Sequence, residues 1–211
     1  MIEYILFDVA GTLLYKPKLY KNIQDTLSQF GYQVTLEEIK FKHKLLSEII
    51  HFPDRTSKDF YLNFNTTLLE LFGIIPTNEI VDAVFSNCTY LDWEKFDDTE
   101  ILKSLNVPLG IASNFNTTLN EKLQNNFGNI FSDIIVSEDV GSAKPSTEFY
   151  QAVLKKIDID PKKILYIGDS LKLDIQPTIK LNFNSLLIDR DNFYPASKYK
   201  IANLQQIVDF L

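Results

Sequence analysis

Four short stretches of this 211-residue chain end in side chains that can do chemistry. Asp8 follows the apolar run Tyr4-Ile5-Leu6-Phe7 and precedes Gly11-Thr12. Ser113-Asn114 follows Ile111-Ala112, and Lys144 stands in Gly141-Ser142-Ala143-Lys144-Pro145, just ahead of Ser146, a residue type that caps helices. Asp169 lies in Gly168-Asp169-Ser170, with Asp174 five positions further on. If Asp8, Asp169 and Asp174 meet, they resist joint ionisation unless a cation neutralises them. A set of hard oxygen ligands without His or thiolate favours Mg2+, which keeps several waters and is completed by substrate phosphate. Lys144 adds an ammonium, and Ser113 and Asn114 a hydroxyl and an amide, for the equatorial oxygens of a phosphoryl group. Asp8 can then attack phosphorus and form an aspartyl-phosphate that water hydrolyses.

Such groups must be carried on elements that converge. Short apolar runs alternate with helical periods after residue 95: strands over 107–112, 133–136, 164–167 and 185–188, and helices over 99–105, 117–126, 147–157, 171–181 and 204–211. With the first strand, this pattern predicts an α/β fold, a Rossmann-like doubly wound parallel sheet covered on both faces. In such sheets, ligands bind beyond the carboxyl ends of the strands, where strand order reverses. Residues 16–94 read differently, as roughly four helices in a row, opened at one point by the capping-box spacing Thr35-Leu36-Glu37-Glu38. The expected organisation is therefore a core of 1–15 and 95–211 with an all-helical domain inserted over 16–94. The hinges are expected near residues 15–17 and 91–97.

Composition removes several classes of function. With 28 acidic against 21 basic residues the net charge is -7, which disfavours nucleic acid and anionic lipid as partners. The single Cys88 can form no internal disulfide, and His43 and His51 make no zinc site. No apolar run reaches the roughly 20 residues of a membrane span, and no leader pattern opens the chain, so the expected compartment is the reducing cytoplasm. Periodicity is silent on oligomeric state. The lysines of the helical insert (Lys40, Lys42, Lys44 and Lys58) and Arg55 read as ordinary surface residues.

In this order and at these strand ends, the four stretches resemble the motifs of the haloacid-dehalogenase superfamily of hydrolases, over nearly the whole chain. The resemblance implies Asp8 as nucleophile, Ser113 as the phosphate-binding Ser/Thr, Lys144 as the phosphate-binding lysine, and Asp169 and Asp174 as acids supporting Mg2+. It also implies the Ala10 backbone carbonyl as a metal ligand and the helical insert as a cap domain. Its phosphatases carry a second aspartate two residues after the nucleophile as general acid and base. Here that position is Ala10. Loss of such help costs about 100- to 10,000-fold in rate, or about 3–5 kcal/mol of barrier. The implied function is a Mg2+-dependent phosphohydrolase acting on a small phosphorylated metabolite with a good leaving group. Two alternatives stand beside it: a weakly active or silent member kept for binding or regulation, and a phosphonatase- or dehalogenase-type hydrolase. The phosphonatases of the superfamily share the alanine but use a cap lysine; the dehalogenases lack the acidic Gly-Asp motif present here as Gly168-Asp169.

Overall fold

A computed structural model describes residues 1–53 and 56–211, so Arg55 lies outside the described residues. The described chain divides into two compact units, one made of residues 1–15, 52–53 and 95–211, the other of 16–51 and 56–94.

The first unit is built on a six-stranded sheet. Its strands are β1 (Tyr4–Phe7), β4 (Leu109–Ser113), β5 (Phe131–Val136), β6 (Ile164–Gly168), β7 (Asn184–Ile188) and β8 (Lys200–Ile201). A separate two-stranded sheet pairs β2 (Leu14–Tyr15) with β3 (Glu94–Lys95). In the large sheet the order is β5-β4-β1-β6-β7-β8, and the paired strands run parallel. All four residues of β1 are buried, which is why the strand reads as an unbroken apolar run rather than an alternation. The chain fills one side of β1 with β4 and β5 and then crosses to the other side with β6, so strand order reverses at β1. That crevice is where a parallel sheet offers its strand ends to a ligand.

The second unit is helical: α1 (Leu19–Gln29), α2 (Leu36–Ile49), α3 (Lys58–Leu71) and α4 (Asn78–Cys88). Each helix turns its apolar stripe inward, and Ile23, Leu27, Ile39, Leu46, Phe64, Leu68 and Ile80 form one core. The hydroxyl of Thr35 accepts the Glu38 N–H at 3.1 Å, so the spacing read as a capping box does cap α2.

The core unit adds α5 (Leu119–Phe127), the single turn α6 (Ser137–Val140), α7 (Thr147–Ile157) and α8 (Gln176–Lys180). Ser146 caps α7, accepting the Phe149 N–H at 3.1 Å. Two expected helices take another form. The segment expected as one helix over 171–181 begins as a π-turn, Leu171–Ile175, before α8, and the carboxyl-terminal segment is a 3-10 helix, Leu204–Phe210. The segment near 99–105 is also 3-10, over Asp97–Ser104. None of the helices among the described residues is long and apolar enough to cross a membrane.

Candidate active site at the carboxyl ends of three strands

Asp8 is the first residue past β1, and its backbone N–H bonds to the Ile167 carbonyl of β6 at 2.8 Å. The chain then turns sharply: the Val9 carbonyl accepts from Thr12, Leu13 and Leu14 at 3.3, 2.9 and 2.9 Å. Gly11 makes the turn at φ +87°, a conformation that suits glycine, and an added Cβ would stand 2.5 Å from Asp169 Oδ2. Gly168 is equally constrained, because a Cβ there would overlap the Asp174 carboxylate. Two glycines thus let two acidic loops close on one point.

At that point Lys144 Nζ donates to Asp8 Oδ1 at 2.6 Å and to Asp174 Oδ1 at 2.7 Å. The lysine residue is only 2% exposed, so it is not a solvated loop lysine. Carboxylate oxygens of Asp8, Asp169 and Asp174 lie within 4.8 Å of one another. Two of these three acids share one ammonium. Burial drives the Asp8 carboxyl up, Asp174 and Asp169 add to that, and the pull of Lys144 only partly offsets it, leaving it at about 7. Burial alone would lower Lys144, but the Asp174 and Asp8 carboxylates outweigh it and hold the ammonium well above its ordinary range.

The donor set fits a hard divalent cation: three carboxylates, no sulfur or imidazole, and a net negative charge left after Lys144 is counted. Asp174 enters with least freedom. Its Oδ1 accepts from both Lys144 and the Tyr166 hydroxyl, the latter at 2.8 Å, and its Oδ2 accepts the Ser170 N–H at 3.1 Å. Asp169, at the end of β6, is the more exposed acid of the two.

Ser113 closes β4 and is buried at 2% exposure. Asn114, expected as a substrate ligand, is engaged elsewhere: its Oδ1 accepts the Lys144 N–H at 2.7 Å and its Nδ2 donates to the Lys144 carbonyl at 3.0 Å. This two-point clamp holds the backbone that carries the ammonium. Ala10 is exposed beside the site, and its methyl group can move no proton.

Sequence reasoning passed over three contributors. Thr12 is fully buried, with its hydroxyl 3.4 Å from Asp8 Oδ2. Arg190 forks onto Asp98 at 2.5 and 2.9 Å, donates to the Thr12 carbonyl at 2.9 Å and lies 3.8 Å over the Phe96 ring. The third is Tyr166, whose signal was its place in the otherwise aliphatic Ile164-Leu165-Tyr166-Ile167, since a buried tyrosine needs a partner for its hydroxyl.

Residues 2–179 match the haloacid dehalogenase-like hydrolase family. The chain belongs to that family. Among similar members, the pyrophosphatase PpaX of Oceanobacillus iheyensis is 31% identical over 173 residues, 80% of this chain and 75% of its own. A glyceraldehyde 3-phosphate phosphatase of Methanopyrus kandleri is 22% identical over 206 residues, covering 92% of this chain and 86% of its own. The fold of this haloacid dehalogenase-like hydrolase is similar to the crystal structure of the putative hydrolase YfnB from Bacillus subtilis bound to magnesium. That likeness has a TM-score of 0.72 at 20% identity, covering 99% of this chain and 98% of the other.

Proposed function

We propose that this hydrolase is a phosphohydrolase that takes a small phosphorylated metabolite and transfers its phosphoryl group to Asp8. The observation that carries the reading is the 2.6 Å contact between Lys144 and Asp8 within a buried cluster of three carboxylates. A carboxylate held beside an ammonium is an attacking group with an anion receptor next to it. Two similar proteins, in Oceanobacillus and Methanopyrus, carry phosphatase names, which supports the same class of substrate.

In this reading an Asp8 oxygen forms a bond to phosphorus as the bond from phosphorus to the leaving oxygen breaks, and the leaving group departs with that electron pair. Water then attacks the phosphorus of the aspartyl-phosphate, releasing inorganic phosphate and restoring the carboxylate. Lys144 and Ser113 hold the phosphoryl oxygens, and Asn114 holds Lys144. Mg2+, carried by Asp8, Asp169, Asp174 and the Ala10 carbonyl, would supply positive charge to the phosphoryl oxygens. The helical unit serves as the cap and selects the substrate. Because Ala10 cannot protonate the leaving oxygen, the substrates turned over best are those whose leaving group is stable as an anion, such as acyl phosphates.

Position 10 also favours a second reading, a weakly active member that binds phosphorylated ligands more than it turns them over. The two separate on one experiment: acetyl phosphate and p-nitrophenyl phosphate with Mg2+, wild type against Asp8→Asn. Turnover by the wild type that vanishes in Asp8→Asn supports the hydrolase. Equal inactivity with retained phosphate binding supports the binder.

A further inference from the structure

The buried face of β6 carries a hydroxyl with no part in the reaction just described. Tyr166 is 0% exposed. Its proton goes to Asp174 Oδ1 at 2.8 Å, and its oxygen stands 3.4 Å from Lys144 Nζ as a loose acceptor. The Ala112 carbonyl lies a further 3.4 Å away on β4. Three elements of the site therefore meet at one phenol.

Lys144 sits between two carboxylate oxygens at nearly equal distances, 2.6 Å to Asp8 and 2.7 Å to Asp174. Nothing in a lysine stem chooses between such partners, because the ammonium is a point charge on a flexible chain. A second donor on the same Asp174 oxygen makes that choice. By occupying part of its acceptor capacity, Tyr166 weakens the hold of Asp174 on the ammonium and leaves Lys144 available on the Asp8 side. In a dry interior such a bond counts for more than it would in water.

We propose that Tyr166 is a positioning residue, whose hydroxyl balances Asp174 against Asp8 and so sets Lys144 where the transferred phosphoryl group is bound. The proposal rests on the phosphohydrolase reading. Tyr4 is the natural control, because it is also buried, at 3% exposure, and its hydroxyl also donates to a carboxylate, Asp133 Oδ2 at 2.8 Å, which is not part of the Lys144 cluster.

The test compares wild type, Tyr166→Phe, Tyr4→Phe and Asp8→Asn in steady-state turnover of acetyl phosphate at saturating Mg2+, with thermal unfolding of each. Tyr166→Phe keeps the ring and should lower kcat about tenfold or more, with KM within about twofold, because the lysine contact strengthens in the transition state. Tyr4→Phe should lower Tm by a similar amount and leave kcat within about twofold. A Tyr166→Phe enzyme with wild-type kcat, or equal losses of kcat in both tyrosine variants, would overturn the proposal while leaving the hydrolase reading intact. A wild type no faster than Asp8→Asn would overturn the hydrolase reading, and this proposal with it.

Discussion

Replacing Lys144 by Met keeps most of the unbranched side chain and removes its ammonium, which puts the electrostatics of the site to a direct test. The ammonium is 2% exposed and touches two carboxylates at 2.6 and 2.7 Å. Removing one partner of a buried pair costs about 3–5 kcal/mol, because the remaining charge is left without compensation. Here the cost depends on pH. The Asp8 carboxyl is already raised to about 7 by burial, Asp174 and Asp169, and it loses the opposing pull of Lys144 in the variant. A carboxyl raised above its unfolded value binds more protons folded than unfolded. Stability then falls as pH rises from about 4 through the folded value, by up to about 1.4 kcal/mol per unit for one proton. At pH 5 the site relieves itself by taking up a proton; at pH 8 it cannot do so fully. Urea unfolding of the metal-free protein between pH 5 and 8 should therefore show a deficit of Lys144→Met against wild type that widens with pH. Saturating Mg2+ should recover part of it by neutralising the same carboxylates. A deficit that is absent at pH 8, or unchanged from pH 5 to pH 8, would refute the electrostatic account of the cluster.

Ala10→Asp should raise kcat/KM for alkyl phosphates by about tenfold or more and for acetyl phosphate by much less, because only the poorer leaving group needs the proton. Equal gains for both would count against the missing-acid explanation, and the leaving-group series reads this directly. Gly11→Ala meets both an unfavourable φ of +87° and the Asp169 carboxylate at 2.5 Å, so Mg2+ affinity measured by calorimetry should drop at least tenfold. Unchanged affinity would mean the loop moves aside freely. In the helical unit, the His43 imidazole packs between Tyr20 and Phe64, although the residue keeps part of its surface exposed. Burial, with Lys44 adding to it, lowers it to about 4 from an ordinary 6.5. A depressed folded value makes stability fall as pH drops from about 6.5 to 4, and His43→Phe should flatten that limb of the Tm profile. A variant with the same slope as wild type would place the dependence elsewhere.

The α/β core could be read in the chain because its strands are short apolar runs and its helices keep a clean period. Tyr4–Phe7 is buried on both faces, so the residues themselves announce a central parallel strand, and the acid that ends it follows from strand order. Ser146 was legible as a cap because one hydroxyl at a helix start has a local job. What stayed hidden depends on distant partners. The lysine in a Gly-Ser-Ala-Lys-Pro loop looks solvated until Asp8, 136 positions away, closes on it. The bonds of Asn114 to the backbone of Lys144 span 30 positions and leave no local signal. Arg190 finds Asp98 across 92 positions. The two-residue strands β2, β3 and β8 are too short to show a period. The π-turn at Leu171–Ile175 replaces an expected helical start where Ser170 and Asp174 use their side chains on the backbone of the same turn.

The most direct test of the central claim is to trap the intermediate. Wild type mixed with radiolabelled acetyl phosphate and Mg2+, and quenched in acid within milliseconds, should carry label on the peptide containing Asp8. That label should be lost to hydroxylamine, as an acyl phosphate is, and should be absent from Asp8→Asn. Turnover without any label on that peptide, or label that persists in Asp8→Asn, would contradict the account.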